Sequence, residues 1–199
     1  MIVTLTDLKK MSIADANGST FVGGSQKWYD RRWTRISGCG PVAACNLIWY
    51  MTQPGGNMPR YLDLMREMFN FTTPGLHGVN KSRIFSDGIV RYGEENGLTI
   101  VPHVLEVPPE HTERPDINTV RGFIVSALQS DAPVAFLNLS SGTVSALENW
   151  HWMTILAIDT DTMHIRFSDH GAILEADISA WRETTTLGGA MIWLTVSKG

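Results

Sequence analysis

A change of hydrophobic period near residue 97 constrains this chain more than any other feature. Before it, apolar residues recur at helical spacing; after it, short apolar runs alternate with turn signals. Val42 to Thr52 is apolar nearly all round, as a buried helix requires. Pro41 suits a helix's first position, and Pro54-Gly55-Gly56 suits its stop. Met58, Tyr61, Leu62, Met65, Met68 and Phe69 define an amphipathic second helix. Ser82 is expected to cap a third, with Phe85, Ile89 and Tyr92 inward and Gly97 as its stop. Leu98 to Val107 reads as a strand. Asn118 is expected to cap a helix that carries Val120, Phe123, Ile124, Ala127 and Leu128 on one face. Strands are expected over 134–139, 151–158, 163–168, 172–176 and 191–196, and residues 1–38 as loops with at most short strands. Most links between strands are shorter than the dozen or so residues a parallel crossover needs. Helices followed by an antiparallel sheet make an α+β fold. A single domain over 1–199 is expected, with a helical half at about 39–97 and a sheet half at about 98–199. Neither GxGxxG nor a P-loop motif is present.

The formal charge is −4, and no Lys/Arg run exceeds a pair. That argues against a nucleic-acid or anionic-membrane surface. The longest uncharged stretch, the 24 residues from Ile36 to Pro59, contains Pro41, Asn46, Gln53 and Pro54-Gly55-Gly56, so it reads as no spanning helix. Met1 to Asp7 has no basic start. A cytoplasmic protein with reduced thiols is expected, and nothing in the sequence specifies an oligomeric state. Cys39 and Cys45 match neither a disulfide framework nor a zinc pair. His164, His170 and Asp169 could in principle hold a metal, but strand alternation sets Asp169 on the other face and the spacing fits no usual zinc pattern. No metal and no cofactor are expected.

The informative segment is Ser37-Gly38-Cys39-Gly40-Pro41-Val42-Ala43-Ala44. With Pro41 as first helical residue, Gly40 is the N-cap and Cys39 lies just before the helix. The free N–H groups and the positive dipole end then point at its sulfur and favour the thiolate a nucleophile needs. Flanking glycines leave room for a carbonyl. Cys45, inside the apolar helix, reads as a small buried hydrophobe. Six histidines are candidates for the base. His77 and His111 read as exposed, and His103 has no partner in view. His151 opens a strand between Trp150 and Trp152, where aromatic cover can tune its proton affinity. A three-residue Asp159-Thr160-Asp161 loop in the following hairpin would set Asp169 opposite His151. A two-residue loop would set it on the other face, which a β-bulge would repair. Trp181 and Trp193 read as core, and Arg31, Arg32 and Arg35 as a solvated loop.

Gly38-Cys39-Gly40-Pro41-Val42-Ala43-Ala44 at a helix start, His151-Trp152 heading a strand and Ser168-Asp169-His170-Gly171 after the next strand resemble papain-like cysteine peptidases. The likeness is closest to the bacterial branch related to bacteriocin-leader-processing peptidases, and it spans the chain in order. It implies a papain-like α+β fold with Cys39 as nucleophile, His151 as base and Asp169 orienting the imidazole. Such enzymes also use a Gln side chain in the oxyanion hole, a few residues before the Cys. Here that position holds Trp33. The nearest Gln is Gln26, thirteen residues ahead and preceded by Gly23-Gly24-Ser25. Gln26 is therefore assigned the role, with the Cys39 N–H as second donor. The expected activity is hydrolysis of a peptide or amide bond through a thioester. The alternatives are an acyl transferase of the transglutaminase kind with the same triad, and an inactive papain-like module that only binds peptide.

Overall fold

The computed structural model describes residues 1–52 and 56–199. The elements in chain order are β1 (Ile2–Thr4), β2 (Ser12–Ala14), β3 (Thr20–Val22), α1 (Arg32–Ser37), α2 (Cys39–Thr52), β4 (Gly56–Asn57), α3 (Met58–Phe71), α4 (Ser82–Glu95), β5 (Leu98–Val107), α5 (Ile117–Gln129), β6 (Val134–Asn138), β7 (His151–Asp159), β8 (His164–Asp169), β9 (Ala172–Asp177), α6 (Ile178–Thr184) and β10 (Gly189–Lys198). This is an α+β fold. Six strands run in the order β5-β10-β6-β7-β8-β9, all neighbours antiparallel. β1 pairs with the far end of β7, past β6. A small second sheet, β3-β2-β4, lies outside this one.

The helices cover both faces of the large sheet. On one face α2, α3 and α4 bury Leu47, Trp49, Met65, Phe85 and Ile89 against Ala135, Leu137, Trp152 and Ile192. On the other, Val120, Ile124 and Leu128 of α5 and Trp181 of α6 pack on Val134, Phe136, Met153, Ile155 and Met191. Twelve consecutive residues of α2, Cys39 to Tyr50, are buried, which is why its sequence is apolar all round.

A bulge in β7 sets the register that matters for the site. Next to the turn Ile158 faces Ile165; past an extra residue, Leu156, Ile155 faces Phe167 and Thr154 faces Ser168. Continuing that register puts Asp169 opposite Met153, one pleat from His151 and on its side of the hairpin. The loop between β7 and β8 spans four residues, 160–163, so neither counted loop length occurs. The bulge is what restores the face. It also keeps Met153, Ile155, Leu156 and Ile158 together in the α5 core although their numbers change parity.

Several local expectations need correction. Residues 32–37 form helix α1, not loop. They bury only Ser37 and have no side-chain cap, so they lack an amphipathic signature. Helix α2 starts at Cys39 itself, with the Val42 N–H bonded to the Gly38 carbonyl at 3.0 Å. Gly38, not Gly40, is therefore the capping residue, and Pro41 is the third helical residue. Asp116, not Asn118, caps α5 by accepting from the Thr119 N–H. Ser82 is the first residue of α4, and its hydroxyl bonds Glu106 instead of capping. Of the expected helix stop, Pro54 and Gly55 lie outside the described residues, and Gly56 opens β4. Trp193 is half-buried, stacked on His103 at 3.9 Å, which supplies the partner His103 lacked in the sequence.

Candidate active site

Cys39 is the first residue of the 14-residue helix α2 and only 7% exposed. The unpaired N–H groups of the first turn surround it. Its helix is held against β7, whose first residue is His151. The strand starts abruptly because Trp150, at φ 56°, takes the left-handed conformation and turns the chain into it. His151 Nε2 lies 2.8 Å from Asp169 Oδ1, both side chains being less than 10% exposed. Nδ1 is then the nitrogen left for the neighbouring Cys39 side chain. Burial of the ring opposes its protonation. The Asp169 hydrogen bond and the Cys39 side chain, with their charges, outweigh burial and push the imidazole up to about 10. Burial also works against the Asp169 carboxylate, but the His151 bond and the charges of His151 and His170 hold it below its usual range. Cys45 is fully buried, and burial pushes its thiol well up. Both cysteines are free.

The residue after Asp169 belongs to this corner as well. His170 stands at φ 49°, its ring centre 5.4 Å from that of His151. Its Nδ1 is 3.2 Å from the hydroxyl of Ser25, and its Nε2 is 3.9 Å from Asp169. Ser25 caps the 3-10 turn Gln26–Trp28, so this contact brings the Gln26 segment to the Asp169–His170 corner. Gln26 Oε1 is buried and has no hydrogen-bond partner among the described residues. An unbonded buried amide oxygen is costly, and a nearby ligand or water would relieve it.

The Gln26 segment is fixed from below by one side chain of α2. Asn46, about two turns after Cys39, accepts from the Gly24 N–H at 2.9 Å and the Tyr61 hydroxyl at 2.6 Å. Its Nδ2 donates to Thr154 Oγ1 at 2.9 Å. The two glycines let the backbone come this close: a Cβ on Gly23 would lie 2.4 Å from Ser168 Oγ, and one on Gly24 2.4 Å from the Tyr61 ring. Gly23 also has a left-handed φ of 72°.

A cleft of about 280 Å³ opens onto Cys39, lined by Trp33, Ile36, Ser37, Leu76, His77, Gly78 and Trp150. Leu76 is 90% exposed, Ile36 61% and Trp150 52%. Trp33, which occupies the position where the resembled family has its Gln, is thus part of this apolar rim. A wider groove beside α4, lined by Phe71, Thr73, Ile84, Asp87 and Arg91, contains no cysteine or histidine.

No protein-family model matches this chain. No curated protein matches it in sequence either. The site must therefore be read from its own chemistry. Cys39, His151 and Asp169, expected from the sequence, come together; for Gln26 the structure brings the segment and a buried, unbonded amide oxygen. His164 stays apart, exposed at the turn end of β8, with Nδ1 3.2 Å from the Thr162 carbonyl. Ser25, Asn46 and the rim residues Ile36 and Leu76 carry no sequence expectation of a site role, and His170 carries only the metal expectation with His164 and Asp169. Asn46 alone left a signal, as an amide in an otherwise apolar helix. Among the described residues no helix is long and apolar enough to cross a membrane.

Proposed function

We propose that this chain is a papain-like thiol hydrolase that cleaves a peptide or amide bond. The observation that carries the reading is the buried His151–Asp169 pair, 2.8 Å apart, set beside a cysteine at the N-terminus of a buried helix. The order of parts supports it: a nucleophile helix before the sheet, then His and Asp on adjacent antiparallel strands. In this reading the Cys39 sulfur attacks the substrate carbonyl, whose oxygen takes up the electron pair. The Cys39 N–H and the Gln26 amide donate to that oxyanion. His151 gives its proton to the leaving amine as the C–N bond breaks, leaving a thioester on Cys39. His151 then takes a proton from water, the hydroxide attacks the thioester, and sulfur leaves with the product acid formed. Asp169 keeps the ring oriented and stabilises its cationic form. The apolar rim of Trp33, Ile36, Leu76 and Trp150 suits a substrate with an uncharged side chain near the scissile bond. Both thiols being free suits a reducing, cytoplasmic setting.

The test is mass spectrometry of a diverse peptide mixture incubated with wild type and Cys39→Ser. Cleavage by wild type alone supports hydrolysis. Added primary amine appearing in most of the product would make it a transferase. No cleavage, with Cys39 alkylating no faster than a free thiol, would leave only a binding module.

A further inference from the structure

Glu148, His151 and His170 each present one ligand atom, and these atoms lie within 4.8 Å of one another. Tetrahedral zinc with N and O ligands at about 2.0–2.2 Å needs its ligand atoms roughly 3.4 Å apart. Side-chain rotation of Glu148, exposed on a loop, and of His170, only partly buried, would close the gap. His170 is prepared as a ligand. Its Nδ1 is engaged by Ser25, which orients the ring and leaves Nε2 with no hydrogen-bond partner among the described residues. His170 and Gly171, at φ 49° and 82°, make the two-residue turn between β8 and β9, and this turn sets the ring beside that of His151. Neither Glu148 nor His170 takes part in the hydrolytic steps above.

We propose that Glu148, His151 and His170 form a site for a divalent transition-metal ion of the zinc type, and that the bound ion inhibits the enzyme by occupying a nitrogen of His151. The inhibitory half rests on the hydrolase reading; the binding half does not. Three protein ligands plus water complete a tetrahedral shell; the ion displaces a proton of His151 to solvent and takes the place of that nitrogen's present partner, Asp169 or Cys39. With one ring nitrogen on the ion, His151 no longer carries a proton between sulfur and leaving group. Cys39 is not a ligand in this arrangement.

The test is calorimetric titration with ZnCl₂ of wild type, Cys39→Ser, Glu148→Gln and His170→Asn. Asn is chosen because it tolerates a left-handed backbone. The expected result is one ion per chain in wild type, the same affinity in Cys39→Ser, and affinity weaker by about tenfold or more in the other two. Circular dichroism checks that each variant is folded, and Glu148→Gln, at an exposed position, keeps the test valid if His170→Asn unfolds. Loss of binding in Cys39→Ser would place the ion on the Cys39–His151 pair and overturn the proposal, as would unchanged binding in Glu148→Gln or no binding in wild type. On any substrate found, Zn²⁺ should inhibit wild type, and Glu148→Gln should retain turnover while needing about tenfold more Zn²⁺. Binding without any turnover would overturn the hydrolase reading alone; turnover without binding would overturn this inference alone.

Discussion

Replacing Asn46 by alanine should loosen the site without touching it. The side chain serves three buried partners: the Gly24 N–H, the Tyr61 hydroxyl and Thr154 Oγ1. Tyr61 and Thr154 have no solvent exposure, so neither can turn to bulk water. Each buried polar group left unpaired costs roughly 1–3 kcal/mol, which gives about 3–9 kcal/mol for the three. A water entering the vacated space would restore part of this, so a loss of about 4 kcal/mol is expected. That is a large share of a typical domain's ~5–15 kcal/mol, yet it leaves the protein folded at ambient temperature. Urea unfolding of both proteins gives the difference. Hydrogen exchange at the Gly24 amide reports the local effect, which should be a loss of protection greater than the global change explains. Turnover should fall further than stability requires, because the Gln26 segment loses its tie to the nucleophile helix. A stability loss below about 1 kcal/mol, or a Gly24 amide as protected as before, would refute the claim that Asn46 holds this joint.

Three other outcomes are expected. Turnover should hold through neutral pH and fall as pH rises through about 10, where His151 loses its proton; Asp169→Asn removes the strongest group favouring that proton and should move the alkaline limb to lower pH. A pH profile of any cleaved substrate checks the direction. Brief iodoacetamide treatment followed by peptide mapping should label Cys39 and spare Cys45 until the protein unfolds, since burial disfavours the Cys45 thiolate. Gln26→Ala should lower turnover by about 10²–10³ with little change in substrate affinity, as measured by steady-state kinetics, if its amide is an oxyanion donor.

How much of this was legible in the sequence depends on whether the deciding contacts were local. The buried helix α2 was legible because every turn of it is apolar, and Cys39 because it falls at that helix's start between glycines. The His–Asp pairing was legible only as a possibility. Which face Asp169 takes depends on the extra residue at Leu156, and Leu156 differs in no way from an ordinary strand leucine. Helix α1 was missed because its apolar residues Trp33 and Ile36 line a cleft and so follow no burial period. Likewise His170 gains its place from Ser25, 145 residues away; only the tight turn it makes with Gly171 is a local signal. For Asn118 the competition was closer, since Asp116 two residues earlier is an equally good cap and won.

The extra residue in β7 also says where this chain can change length. Leu156 touches neither Cys39 nor the His151–Asp169 pair, and any apolar side chain of its size would serve the α5 core. Its removal would straighten β7 and leave every face as it is. With Ile155 joined to Ala157, the pairs Ile155–Phe167, Ala157–Arg166 and Ile158–Ile165 become one regular ladder, and His151 still shares a face with Asp169. What is lost is one buried leucine side chain. Among descendants of this chain that keep the pair, single-residue deletions in β7 should therefore collect at position 156.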